Sequence, residues 1–524
     1  MIERVQLILP PEQAADERAL RDAASKVLGI EAGRVSGHRI VRRTVDARQG
    51  QPKINLSLDL YIDGEPHEAD TELERFDYRD VSGCPEVLVV GAGPAGLFAA
   101  LRLIELGYKP VVIERGKSIA DRKKDIAQMH RNHGLDPESN YCFGEGGAGT
   151  FSDGKLYTRS HKKGNIQRIL QLFHLHGAQD EILYEAHPHI GTDRLSVVIR
   201  NMRETICKHG GEVHFSCRMT DLIIDGGRVK GLHTSDGREF RSEAVILATG
   251  HSARDVYHLL PTKGIDLDSK GFAMGVRVEH PQTLIDSIQY HRRERGPYLP
   301  PASYNLVAQS EGRGVYSFCM CPGGQIVPAS TSEGEIVVNG MSNALRNSPY
   351  ANSGIVVEIR PEDIPEEMKR AHGVLAGLVY QQSVERMSFS NNGGKGLTAP
   401  AQRLGDFVRS RLSSDLPKCS YLPGLLSSPL HFWLPQPIGR RLQDGFRQFD
   451  RKMRGFVTNE AVIVGVESRS SSPVRIPRDR ETLQHPSIAG LYPCGEGAGY
   501  SGGITSSAID GERCAEAAAA ALSA

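Results

Sequence analysis

VLVVGAGPAGLFAALRLIELGYKPVVIERG, residues Val87 to Gly116, decides the fold. An apolar run suited to a buried parallel strand meets three glycines at G-x-G-x-x-G spacing. An amphipathic run follows, then a second apolar run ending in an acid. Gly91 permits the tight turn out of the strand. Gly93 carries no Cβ, so an anionic diphosphate can approach the backbone. Gly96 lets the next helix lie close on the sheet. That helix is predicted over roughly residues 94–106, with Leu97, Ala100, Leu101 and Ile104 on one face and Gly107 as its stop. Its first turn, with Pro94 and Ala95, directs free N–H groups and the positive end of the helix dipole at the diphosphate. The second strand ends at Glu114, followed by Arg115. A carboxylate here, 18 residues past Gly96, accepts hydrogen bonds from ribose hydroxyls and repels a 2′-phosphate, which argues against NADP in this site. The glycine motif alone is weak, but the ordered set is specific.

The 524 residues suffice for two or three domains. Lys plus Arg and Asp plus Glu are both 63. This balance gives no support to a nucleic-acid or acidic-surface partner. The basic triplet Arg122-Lys123-Lys124 reads as a solvated helix face. The first residues are too short an apolar run for a signal-peptide core, and no run approaches the ~20 apolar residues of a membrane span. Nine cysteines without a C-x-x-C pair point to reduced thiols and a cytoplasmic setting.

The expected fold class is α/β. Residues 1–80 read as a small β-α-β-β module of ferredoxin-like type, with a strand closed by Asp63-Gly64. Residues 85–270 form the first part of a Rossmann-like domain, with a β-meander over 211–250 turning at Asp225-Gly226 and Asp236-Gly237. Residues 271–455 read as an inserted, largely antiparallel α+β substrate or cap domain. Residues 456–524 return to the first domain.

Two later stretches identify the nucleotide. AVILATG, residues 244–250, is a buried strand ending in Thr249-Gly250. GLYPCGEGAGYSGGITSSAIDGERCAEAAAAAL, residues 490–522, runs from a strand into Gly495-Glu496, then a glycine-rich turn, then a helix starting near Gly503. With the fingerprint early and this segment at the end, the set resembles the FAD-binding domain of the glutathione-reductase-like, two-dinucleotide-binding flavoprotein superfamily. More narrowly it resembles bacterial uncharacterised FAD-dependent dehydrogenases, which share segments like SDGKL, HIGTD, ATGHSARD, FCMCPGG and GEGAGYSGGI. The resemblance implies a bound FAD, with Glu496 on its ribityl chain. The N–H groups near Gly503 and Ile504 would face the flavin pyrimidine edge, where a helix N-terminus stabilises the anionic reduced ring. Relatives often carry Asp in place of Glu496.

Other constellations are open to two readings. FGEGGAGTFSDGKL, residues 143–156, repeats G-x-G-x-x-G without a preceding strand, so a second dinucleotide site is rejected. Gly147 within it suits a loop in close approach to the flavin ring. Lys155 lies near the flavin or pairs structurally. Cys319 and Cys321, at i and i+2, are either a redox pair or nucleophile beside the flavin or two small buried hydrophobes. Arg469 and Arg475 could clamp a carboxylate, or Arg469 could pair with Glu467. Thr192 or Asp193 is expected to cap the helix after His189.

The expected activity is that of an FAD-dependent oxidoreductase. A hydride would pass between flavin N5 and a small-molecule substrate or NAD(P)H, with Arg469, Cys319 and Lys155 as candidate catalytic residues. Competing readings are a flavin monooxygenase and a non-enzymatic FAD protein that senses redox state or binds RNA. The glycine-rich GEGAGYSGG departs from the monooxygenase pattern, and the N-terminal module is not notably basic.

Overall fold

A computed structural model describes residues 1–524 except 49, 65–73, 133, 159–163 and 524. At its centre lies a five-stranded, fully parallel sheet. Its strands are β1 (Glu86–Val90), β2 (Lys109–Ile113), β3 (Glu212–His214), β4 (Val245–Leu247) and β5 (Leu491–Pro493). Their order is β5-β4-β1-β2-β3. The strands are apolar because both faces are covered. Helix α1 (Pro94–Glu105) covers one face, nearly every residue buried. The C-terminal helix α3 (Ile504–Ser523) lies against it, closely enough that a Cβ at Gly511 would fall 2.0 Å from the Ala95 carbonyl oxygen. Between them in sequence, α2 (Ile119–His130) follows β2.

The meander is narrower than expected. Met219–Asp225, Arg228–Thr234 and Glu239–Arg241 make a separate three-stranded antiparallel sheet, while β3 and β4 at its ends belong to the parallel sheet. The second large unit is a seven-stranded sheet. Its central strands Tyr350–Ile359, Phe272–Pro281 and Val462–Glu467 pair antiparallel, and its edge pair, Ala399–Arg403 with Leu425–Ser427, is parallel. Helix Gln436–Lys452 lays Ile438, Leu442, Phe446 and Phe449 on its core. The boundary expected at 455 therefore falls too early. Val462–Glu467 is buried along its whole length; such a run reads alike in a parallel sheet or in the middle of an antiparallel one, and here it pairs with Phe272–Pro281 and Ala399–Arg403.

The N-terminal strands Ile2–Leu9, Lys53–Ile62 and Val35–Asp46 stand in that spatial order, all antiparallel, with helix Glu17–Leu28 on one face. This is the arrangement of a split β-α-β unit. The end of the proposed 1–80 module, 65–73, lies outside the described residues. Val5, Leu7, Leu20, Leu56 and Leu58 share one apolar core with Phe272, Val276 and Phe446 of the second unit. No helix among the described residues is long and apolar enough to cross a membrane.

Candidate functional site

The turn after β1 is built as its glycines require. Gly91 has φ 107°, and a Cβ there would strike the Ala248 carbonyl oxygen at 2.3 Å. A Cβ at Gly96 would lie 1.8 Å from the Gly91 carbonyl oxygen. Gly93 differs: an added Cβ would meet only the Gly147 Cα, at 3.9 Å. The space in front of Gly93 is therefore a cradle, not a packing contact. Residues 93–96 lead α1, whose first N–H groups have no partner within the helix.

Glu114 is 5% exposed. One carboxylate oxygen accepts the Ala92 N–H at 2.8 Å; the other accepts Gly116 at 2.8 Å and Gly144 at 3.0 Å. Three of its roughly four acceptor positions thus hold the turn together, leaving capacity for one hydroxyl. Arg115 is committed to protein contacts: it pairs with Glu138 at 3.0 Å and Asp255 at 2.5 Å, and stacks on Phe143.

Arg122 is a residue the sequence reading missed. It is fully buried, not solvated. Its guanidinium donates to the carbonyls of Asn140, Tyr141, Glu145 and Gly147 at 2.8–3.0 Å. Burial brings its pKa down to about 10, against the pull of Glu114. The signal was present in the spacing, because Ile119, Arg122, Ile126 and Met129 share the buried face of α2. Arg122 pins the loop 140–149, where Gly144, Gly146 and Gly147 all have positive φ, and Gly146 donates to the Ala92 carbonyl at 2.8 Å. The second glycine motif thus folds onto the first.

These parts enclose a cavity of about 370 Å³. Gly91, Gly93, Pro94, Ala95, Glu114, Arg115, Gly147, Thr249, Gly250, Gly495, Glu496, Gly503 and Ile504 line it. Of the nucleotide-contact candidates, Gly96 alone does not; it sits beneath the turn. Gly495 N–H donates to Asp510 at 2.8 Å, and Arg478 secures that carboxylate at 2.6 Å. His251 Nδ1 lies 3.4 Å from Glu496. The N-terminus of α3 points into the cavity through Gly503 and Ile504.

Lys155, Cys319 and Arg469 also line this cavity, but they differ in freedom. Arg469 pairs at 3.0 Å with Glu385 and 3.4 Å with Glu335, and donates to Thr331 at 2.8 Å. Arg254 reaches the same two acids at 2.8 and 3.1 Å. Arg469 is therefore a buried structural cation rather than a free clamp. Glu467 pairs instead with buried Arg277 at 2.7 Å. Arg475 is exposed, its guanidinium 5.7 Å from the Tyr500 ring. The helix Thr192–Lys208 starts from Gly191 at φ 86° without a side-chain cap; Asp193 accepts the Ala344 N–H at 2.8 Å.

Cys319 has φ 46°, at an irregularity in its strand's pairing. A hydrogen bond from the Cys321 thiol, then the cations Lys155 and Arg277, hold the Cys319 thiol well below its ordinary pKa. That same hydrogen bond, then burial, pushes Cys321 up. Lys155 donates to the Met320 carbonyl and lies 4.0 Å from Cys321 Sγ and 3.9 Å from Asp153. Burial raises Asp153, but Lys155 and Arg346 outweigh it and hold the carboxyl below the usual range.

Residues 85–275 match the family described as pyridine nucleotide-disulphide oxidoreductase, and residues 271–470 that described as FAD-dependent protein, C-terminal domain-like. Residues 1–61 match a domain of unknown function. An uncharacterized protein of Clostridium beijerinckii is 39% identical over 520 residues, covering 96% of each chain. The chain belongs to this family of FAD-dependent proteins. The FAD-dependent protein is also 26% identical over 183 residues to a thiamine thiazole synthase of Aeropyrum pernix, covering 32% of this chain and 55% of that one. Among solved structures, a flavin-dependent brominase is 15% identical, covering 83% of this chain and 79% of that chain, with a TM-score of 0.36. A geranylgeranyl bacteriochlorophyll reductase-like protein of Thermoplasma acidophilum is 13% identical, covering 84% and 80%, with a TM-score of 0.34. Likenesses that slight carry nothing about this member's reaction.

Proposed function

We propose that this protein is an oxidoreductase that passes a hydride between a small-molecule substrate, or NAD(P)H, and N5 of its FAD. The observation that supports this most is how two cavities meet. The glycine-lined cavity adjoins a larger one of about 890 Å³, and Lys155, Tyr157, Phe318, Cys319, Gly502 and Gly503 line both. A cofactor filling the first would present one face to the second. FAD, when bound, supplies the hydride chemistry.

The residues fit that group. The open space before Gly93 admits a diphosphate to the backbone, and the first turn of α1 offers it N–H donors. Glu114 has one acceptor position left for a ribose hydroxyl. Glu496, steadied by His251, suits the ribityl chain. The N-terminus of α3 stabilises negative charge gathered at the ring edge; at exposed sites this is worth ~0.3–1 kcal/mol, more when buried. Lys155 stands at the junction of the cavities, placed to orient a substrate or hold a proton there. Nine unpaired thiols support a reducing, cytoplasmic setting.

The test is anaerobic reduction of the purified yellow protein by NADH, by NADPH, and then by a metabolite panel. Bleaching of the visible flavin band by a nicotinamide makes the enzyme a reductase; bleaching by a metabolite alone makes it a dehydrogenase. A flavin that stays oxidised with every donor refutes the oxidoreductase reading.

A further inference from the structure

The larger cavity has a charge pattern that the proposed hydride transfer does not itself require. Lys155, Lys270, Arg346 and Arg513 line it, against a single acid, Asp510. Asp510 is already held by Arg478 at 2.6 and 3.0 Å, and Arg346 is paired with Asp153 at 2.6 Å. Lys270 and Arg513 have no acidic partner among the described residues. The Lys270 ammonium meets only the backbone carbonyls of Gly271 and Ser472, both at 3.3 Å, and burial lowers its pKa. A half-buried cation with no ion-pair partner, drawn only at longer range by Glu496, is costly to keep.

A second, independent feature lies in the same wall. Tyr304, 6% exposed, also lines the cavity, with its hydroxyl buried beside Ser353. The rest of the wall includes Tyr157, Phe318 and Tyr500, whose flat apolar faces suit a planar body.

We infer that this chamber binds a planar organic carboxylate as its substrate, with Lys270 and Arg513 receiving the anionic group and the aromatic wall receiving the body. The assignment rests on the functional reading above, since it makes the chamber the substrate's side of the flavin. Enclosure between protein walls lets these cations act at greater range than on an open surface.

The experiment is calorimetric titration of the holoprotein with benzoate, its neutral isostere benzamide, and inorganic phosphate at low salt, with the flavin spectrum followed in parallel. Benzoate is expected to perturb the flavin band and to bind at least about tenfold more tightly than benzamide, the worth of one charged hydrogen bond. Lys270→Met and Arg513→Met should each weaken benzoate by about that factor while leaving benzamide binding and flavin content unchanged. Equal affinity for benzoate and benzamide, or benzoate binding indifferent to both substitutions, overturns the inference. Phosphate binding as tightly as benzoate also overturns it, in favour of a phosphoryl ligand. A colourless preparation would sink the cofactor assignment alone, because calorimetry reports on benzoate whether or not flavin is present.

Discussion

Replacing Gly93 by valine tests the nucleotide assignment most directly. Its backbone, φ −77° and ψ −176°, is one that any residue adopts. An added Cβ would have only the Gly147 Cα within 4 Å, at 3.9 Å. The protein without cofactor should therefore fold normally, with a stability change within ~1 kcal/mol, the scale of altering an N-cap. The valine methyls would instead stand where the diphosphate must approach α1. Losing two backbone hydrogen bonds to a charged group, at ~1.5–3 kcal/mol each, weakens FAD binding by roughly 10²–10⁴-fold. The assay is flavin absorbance per protein after purification, then fluorescence titration of the stripped protein with FAD, with circular dichroism and gel filtration as fold controls. Gly96→Ala is the contrasting variant: its Cβ would meet the Gly91 carbonyl oxygen at 1.8 Å, so it should lower soluble yield and the melting temperature. A Gly93→Val protein that stays fully yellow, with unchanged FAD affinity, refutes the placement of the diphosphate.

Arg122→Met should strand four buried carbonyl groups that the guanidinium now satisfies, costing several kcal/mol at ~1–3 kcal/mol each; thermal melts should fall and flavin should dissociate more readily. His280 is fully buried with Nε2 2.8 Å from the Phe456 carbonyl oxygen, and burial lowers its pKa to about 4. The folded state then binds fewer protons than the unfolded between pH 4 and the ordinary value of 6.5. Stability is full above 6.5 and is lost as pH falls toward 4, by up to about 3 kcal/mol. His280→Gln should flatten that part of the melting-versus-pH curve; an unchanged slope contradicts the assignment. Cys319, with its depressed pKa, should be alkylated by iodoacetamide at neutral pH ahead of the more exposed Cys207, whose thiol burial pushes up. Peptide mass spectrometry reads the order, and preferential labelling of Cys207 would contradict it.

The parts of the site that were legible in sequence are those where chemistry dictates residue type locally. The glycines at 91, 93 and 96 and the acid at 114 announce a strand, a turn and a helix because few other residues fit those positions. Thr249-Gly250 and Gly495-Glu496 were legible for the same reason. What escaped was set by distant parts of the chain. Arg122 looks like any charged helix residue until α2 is seen to turn that face inward. Arg469 could have paired with a neighbour two residues away, yet its partners Glu335 and Glu385 arrive from more than 80 residues upstream. The run Val462–Glu467 is equally apolar in either sheet, so its membership depends on its distant partners Phe272–Pro281 and Ala399–Arg403. The larger cavity is assembled from short, widely separated segments, none with a motif of its own.

The Arg254–Glu335–Glu385–Arg469 cluster ties the nucleotide-binding half to the antiparallel half, since Arg254 begins the helix after β4 and Glu385 sits in helix Ala376–Ser390. Parting the halves would break four buried ion pairs at 2.8–3.4 Å. This clasp fixes the register of the two walls of the cavity, to which Ser252 and Arg469 contribute from either side.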